Sequence, residues 1–372
     1  MSKLWKPDNA GKVIPVVRVR PLLPPPPQAG VRLQPQHMHW QLGRYVEDLS
    51  FGPGGRGRRK RWVVDMEAEQ HNIVLDNAYD TLIAQHGFIF LSRYAVVGTG
   101  SVPPSPTQTG LANEIARTQL DQNGSSNTRT ITRPADGVYD INVAREFTET
   151  QVGNMNLTEW GFSPSGTSGE NLMSRELFRD GNGTPIVITP DSDQRLRLIY
   201  TIRITISPLT APASINIDGI GVRTGTFYVN GGGTGSIGTT NMTDLLLVDA
   251  LVAGSTTVKF VSSGQYVHLF AGNFQVNALY SGTPTYVDSD PNRYVAISYQ
   301  SYVPGSRQRL TNALTFGTTQ ANETIRSIAL GIRNPNYWQR YYIGINFDSG
   351  QEFTKTNLYK LTIGEWTLTW GP

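Results

Sequence analysis

The chain contains no cysteine. That excludes a disulfide framework, a thiolate zinc site and a cysteine nucleophile, and leaves stability to packing and assembly. There is no run of about 18 apolar residues, so no membrane-spanning helix is expected. The N-terminus lacks a charged-then-apolar leader, so a soluble product made in the cytoplasm is expected. H-E-x-x-H, G-x-S-x-G and Walker sequences are missing. No repeat of about 20 to 50 residues is visible, which counts against a propeller or a regular β-helix. Helix formers are thin, and histidine is limited to His37, His39, His71, His86 and His268.

What the chain does hold is turn and strand chemistry: 38 Gly and 23 Pro in 372 residues, with 38% hydrophobic residues to fill a core. Thr, Val, Ile, Tyr and Phe are plentiful, which favours strands over helices. The expected fold is mainly β, a β-sandwich or jelly-roll-like body with one or two short helices and an extended Pro-rich basic N-terminal arm. The arm is expected over residues 1–61 and the body over residues 62–372, with a long insertion at 211–350.

Net charge is +3, but residues 1–61 carry 12 Lys+Arg against 3 Asp+Glu, leaving 20 against 26 for the rest. In the arm, Pro15, Pro21 and the run Pro24 to Pro27 favour a stiff polyproline segment over a ladder strand. Behind it, SFGPGGRGRRKR sets Arg56, Arg58, Arg59, Lys60 and Arg61 in a glycine-rich loop. Three readings compete for that cluster: a solvated charged loop, docking onto an acidic neighbouring subunit, and non-specific nucleic-acid binding. No zinc pattern, aromatic ladder or helix-turn-helix spacing accompanies it, which disfavours nucleic acid.

Further on, RLRLIYTIRITIS (Arg195–Ser207) alternates cleanly. Leu196, Leu198, Tyr200, Ile202, Ile204 and Ile206 share one parity, as a half-buried strand requires. LFRDGNGTPIVIT predicts a tight turn and a short strand over 186–189. Residues 72–87 space apolar side chains for a helix stopped by Gly87, FIFLSRYAVVG for a buried strand, and LANEIART for a short helical turn with Asp80 and Glu114 as solvated helix charges. Residues 214–241 suggest a long hairpin with its tip at 231–238, and 245–252 fit either a helix or a strand. Strands are also expected at 258–261, 266–270, 294–302 and 325–333. At the C-terminus the apolar parity switches at Gly364, where a β-bulge would keep Tyr359, Leu361 and Ile363 on the same side as Trp366, Leu368 and Trp370. Between the strand and LANEIART lies GTGSVPPSPTQTG. Pro103 stands where a dinucleotide-binding turn needs its third glycine, and three prolines remove amide donors, so this loop is not expected to hold phosphate.

Candidate chemistry is sparse. His37 and His39 have the alternate spacing that a strand could turn into a metal pair, but they fall in the irregular arm with no carboxylate or thiolate near them in sequence, which counts against a metal site. Asp191 with Asp193, and Asp288 with Asp290, suit turns or, alternatively, a Ca²⁺ or sugar-cleaving carboxylate site. Tyr337, Trp338, Tyr341 and Tyr342 beside Arg340 suit a core, an interface or a glycan platform. No catalytic residue, metal site or cofactor is expected.

The order of a strand, then VGTGSVPPSPTQTGLANEIART, then LTEWGFSPSGTSGENLMSRELFRDGNGTPIVITPDSDQRLRLIYTIRITISP, then LTIGEWTLTW resembles a group of virion structural proteins of tailed bacteriophages, the tail, neck or fibre-associated proteins. The matching residues are Gly98, Thr99, Gly100, Thr109, Leu111, Glu114, Arg117, Glu159, Gly161, Phe162, Leu177, Phe178, Leu196 and Tyr200. The resemblance covers residues 70–210 and the last dozen. It implies a non-enzymatic virion component, made in the host bacterial cytoplasm and assembled as a homo-oligomer. Its implied partners are portal, adaptor, tail or capsid subunits, contacted through the N-terminal arm. The alternatives are a receptor- or glycan-binding tail appendage and a capsid decoration or head fibre protein.

Overall fold

The computed structural model describes residues 5–7, 13–21, 30–48, 60–81, 91–122, 124–125, 128–135, 137–169, 171–217, 219–231, 265–273, 291–303, 305–333 and 340–369. The fold is mainly β, with several antiparallel sheets and two short α-helices, Asp76–Thr81 and Glu149–Val152, among the described residues. The chain divides into two compact units: Leu33–Leu82 with Phe88–Ile204, and Met1–Arg32 with Ile83–Gly87 and Thr205–Pro372.

The first unit is sandwich-like. One five-stranded sheet runs in the order Lys60–Gln70, Gly30–Glu47, Arg195–Ser207, Val138–Phe147, Thr130–Ala135. The other runs Ile73–Val74, Ser174–Leu177, Glu159–Ser163, Tyr94–Gly98, Glu114–Thr118. Aromatic rings join the inner faces: Phe162 stacks on Tyr200 at 4.6 Å between centroids, and Trp40 meets Phe178 edge-on at 6.1 Å.

In Arg195–Ser207 the alternation is interrupted only at Arg197, which is buried as well, and all six apolar residues of one parity are at most 4% exposed. Their burial is worth roughly 9–18 kcal/mol before unfolded-state burial is subtracted. Alternating burial in Val138–Phe147 follows the same rule.

Several expectations are corrected. LANEIART contains a strand, Glu114–Thr118, because Ala116, Arg117 and Thr118 pair antiparallel with Val97, Val96 and Ala95, with a register shift before Gly98. Cross-strand pairing outweighs the local helical preference of so short a segment. The helix expected over 72–87 is described only as Asp76–Thr81, since residues 82–90 lie outside the described residues. The strand expected at 186–189 is reduced to a single bridge, Leu157 with Ile188. The turn before it forms, with Asp180 Oδ1 accepting from the Asn182 and Thr184 N–H groups.

The second unit is built on a ten-stranded sheet. Its order is Tyr294–Ala296, Gln265–Phe270, Ser327–Arg333, Arg340–Phe347, Gly221–Gly231, Thr210–Ile217, Val13–Pro21, Lys360–Ile363, Leu314–Phe316, with Trp5–Pro7 added on Val13–Pro21. Ile328, Ala329 and Leu330 are consecutive and all buried, as are Ile343, Gly344 and Ile345, so these central strands are covered on both faces. Gly344 is required there, since a Cβ would strike the Ile328 carbonyl and Ala329. Phe316, Leu269, Ile325 and Leu361 anchor the core.

Over Val13–Pro21 the chain is therefore a ladder strand and not the polyproline segment expected, the run Pro24 to Pro27 lies outside the described residues, and Gly30–Glu47 is an 18-residue strand. The physical reason lies in the spacing of the prolines. Between Pro15 and Pro21 lies the proline-free stretch VVRVR, and Val16 to Val19 pair in parallel with Lys360 to Ile363. Proline needs only to stay at strand ends or on a free edge.

At the C-terminus the expected bulged strand is two strands. Lys360–Ile363 belongs to the large sheet, while Thr367–Thr369 pairs with Gln308–Leu310. Gly364 marks a change of sheet. The hairpin Thr210–Ile217 with Gly221–Gly231 reverses between Ile217 and Gly221, well before the expected tip. Residues 232–264, which include that tip and the segments at 245–252 and 258–261, lie outside the described residues. The strands at 266–270 and 325–333 form, while 294–302 shortens to Tyr294–Ala296. Among the described residues, no helix is long and apolar enough to cross a membrane.

Candidate functional site: a braced loop and a basic strand end

Residues 98–113 join two neighbouring strands of the sandwich-like unit, and a buried carboxylate organises them. Glu159 lies opposite Gly98 on the adjacent strand and is 0% exposed. Its Oε1 accepts the N–H groups of Gly100 at 2.9 Å and Asn113 at 2.8 Å, and its Oε2 that of Ala112 at 3.1 Å. Arg175, also 0% exposed, donates to the same carboxylate through Nη2 at 2.6 Å and Nε at 3.2 Å. The remaining donors of Arg175 reach Gln108 Oε1 at 2.6 Å and the Val102 carbonyl at 2.8 Å.

The glycines follow from this arrangement. A Cβ on Gly98 or Gly100 would collide with the Glu159 side chain. The loop therefore gathers amides around an anion, as a phosphate-binding turn does, but the anion is the chain's own side chain. The Pro106 carbonyl accepts the Asp76 N–H at 2.8 Å, tying the loop to the start of the short helix.

Glu114 is not a solvated helix charge. Its side chain is 7% exposed and forms a two-pronged pair with Arg117, Nε to Oε1 and Nη2 to Oε2 both at 2.9 Å. Burial pushes its carboxyl up, but Arg117 and the Gly169 N–H outweigh it and leave it below the usual carboxylate range. A further buried pair, Arg145 with Asp121, caps the same unit. The sequence signal for all of these was only their charge; which acid meets which base depends on strand register.

The second feature is the start of the edge strand Lys60–Gln70. Lys60 and Arg61 are exposed, paired across the ladder with Glu47 and Val46. Beside them Arg197 lies over the Trp62 ring at 3.6 Å and over the Tyr45 ring at 5.4 Å. Glu146, 2% exposed, accepts from Arg197 Nε at 2.7 Å and from Arg195 Nη1 at 2.9 Å. Arg195 also pairs with Glu149 at 2.6 Å. The Tyr45 hydroxyl accepts from Arg197 Nη2 at 2.8 Å and donates to the Gln122 carbonyl. Burial, and then Glu146, push that phenol above its ordinary value. The Glu149 carboxyl is held low by its own backbone N–H and then by Arg195, with Lys60 adding to the field.

The structure places the other predicted residues as follows. Arg56, Arg58, Arg59, Tyr337, Trp338, Asp288 and Asp290 lie outside the described residues, and Tyr341 and Tyr342 belong to the strand Arg340–Phe347. Asp191 and Asp193 flank Arg44, which donates to Asp193 at 2.7 Å and to Asp65 at 3.0 Å, so they serve an exposed ion-pair cluster. His37 and His39 do lie on a strand, in Gly30–Glu47, and carboxylates stand near them: His39 Nε2 is 2.8 Å from Glu67 and His37 Nδ1 3.9 Å from Glu69. Among the described residues, no group of three or more His, Asp or Glu is placed to hold a metal ion.

Comparison with protein-family models, curated proteins and solved structures gives no match.

Proposed function

We propose that this chain is a non-enzymatic structural component of a tailed-bacteriophage virion, a multi-copy part of the tail or neck. Two β-rich units, each with its own core, supply the scaffold, and the exposed end of the Lys60–Gln70 strand, with the cation-rich residues 56–61, supplies contact to an acidic neighbouring subunit. The single observation that carries the reading is the Glu159 cradle. The residues on which the phage resemblance rests (Gly98, Gly100, Glu114, Arg117, Glu159, Phe162, Tyr200) are in one unit, joined by buried ion pairs, amide bonds and ring stacking. Such groups define a shape and spend their polarity internally, which suits a scaffold repeated many times over.

Docking narrows to the strand end because Val13–Pro21 and Gly30–Glu47 are occupied in ladders. Exposed cations at a contact act mainly through steering and register. The test is incorporation: particles assembled with wild-type chain are compared with particles carrying K60A/R61A. Labelled subunit at the tail or neck, reduced at least about tenfold by the variant and weakened by salt, is the expected result. A purified chain that stays monomeric and is never recovered in particles refutes the proposal.

A further inference from the structure

The second unit contains an open cleft of about 390 Å³ at the turn of its Thr210–Ile217 and Gly221–Gly231 hairpin. Gly219, Ile220 and Arg223 form one side, and Glu352, Phe353 and Tyr359 the other. The walls are held in place. Gly219 takes the left-handed conformation with φ 86°, and the Ile220 N–H closes the turn onto the Ile217 carbonyl at 2.9 Å. Across the cleft, the Asp348 N–H donates to the Thr224 carbonyl at 3.0 Å and the Thr224 hydroxyl to Asp348 Oδ2 at 2.8 Å, fixing residues 348–352 against the strand.

Arg223 stands out among the cations of this unit. Its Nη1 donates only to the neighbouring Val222 carbonyl at 2.9 Å, and its buried Nε–H has no acceptor. Among the described residues it has no carboxylate partner. A guanidinium presents a planar, two-pronged donor pair that matches a carboxylate, and the half-buried Arg223 brings its Nη end, of which only Nη1 is engaged, to the cleft wall. Glu352 complements it. That carboxylate accepts from Arg326 at 2.7 Å, and its own backbone N–H, with Arg326 and the Gly350 N–H, keeps it ionised against the desolvation that opposes this. A carboxylate has about four acceptor positions, so Glu352 retains room for ligand hydroxyls. The Tyr359 ring, Ile220 and the buried Phe353 add apolar surface to the same lining.

We infer that this cleft binds an acidic sugar residue of the uronic-acid type. Its carboxylate meets Arg223, its hydroxyls donate to Glu352, and its C–H face lies on Tyr359. A cation alone would suit any small anion, and an aromatic ring with an acid alone would suit any sugar. The three together select a compact molecule carrying a carboxylate, hydroxyls and an apolar face. The inference is independent of where the chain sits in a particle.

The test is titration of the full-length chain with D-glucuronate, D-glucose and acetate, followed by saturation-transfer NMR. Glucuronate is expected to bind saturably, with glucose and acetate each at least about tenfold weaker. R223Q is expected to weaken glucuronate binding at least about tenfold with an unchanged melting temperature. If R223Q does not fold, the three-ligand ranking on the unaltered chain still decides. Glucose or acetate binding as well as glucuronate, no saturable glucuronate binding, or a folded R223Q with unchanged affinity overturns the inference.

Discussion

Replacing Glu159 by Gln tests whether the braced loop is built as described. The carboxylate accepts five hydrogen bonds, three from backbone amides and two from Arg175. Gln offers one oxygen and turns an NH₂ toward donors, so at least one amide and part of the guanidinium lose their acceptor. Each buried donor left unsatisfied costs about 1–3 kcal/mol, and breaking a buried ion pair from one side costs about 3–5 kcal/mol. These overlap, since the same carboxylate serves both, so the expected loss is about 4 kcal/mol. That is a large part of a typical domain stability of about 5–15 kcal/mol. R175M restores part of it, because E159Q/R175M no longer buries an unpaired charge, and the double variant is expected to lose less than the two singles added. Urea titration supplies the free energies. Hydrogen exchange supplies the location, with the Gly100, Ala112 and Asn113 amides losing protection first. A loss below about 1 kcal/mol, or loop amides protected as before, would falsify the view that Glu159 organises this loop.

Three further outcomes are expected. Lys355 is 0% exposed and donates to the Asn322 Oδ1 at 3.0 Å, and burial lowers its amine from 10.5 to about 8. Between those values the unfolded chain holds the proton and the folded chain does not, so stability should rise with pH across that window by up to ~3 kcal/mol, and K355M should remove that part of the slope in melts at stepped pH. Glu114, held below its ordinary 4.5, contributes stability that is present above that pH and lost as acid carries the solution down through the lowered value, so E114Q should lose stability at neutral pH and show a flatter acid limb. R197A removes one partner of the 2%-exposed Glu146 and the cation over Trp62. It should cost about 2–4 kcal/mol, limited because Arg195 remains, and should shift tryptophan emission; an unchanged denaturation midpoint would count against it.

Glycine, proline and β-branched content, with the alternation in Arg195–Ser207, were enough to read a mainly β fold directly from the sequence. A period of two is a local property, so no distant contact is needed to see it. Glu114–Thr118 reads as helical from the sequence because five residues carry too little periodicity to oppose a helical preference, and its pairing with Tyr94–Gly98 is decided by a neighbour. Val13–Pro21 departs from its expectation for the opposite reason: its prolines are plain in the sequence, but whether their missing N–H groups face a partner depends on register.

Of the sites, the cation-rich run at 56–61 was legible because charge density is a property of composition. The Glu159 cradle and the Arg223 cleft were not, since each joins residues far apart along the chain: 100, 112, 159 and 175 in one, 223 and 352 in the other. The amino-acid order sets which residues prefer strands and turns and where charge accumulates. Which acid a buried arginine meets is settled by the pairing of strands, because a desolvated charge is tolerated only opposite its partner, and that position is fixed by tertiary register alone.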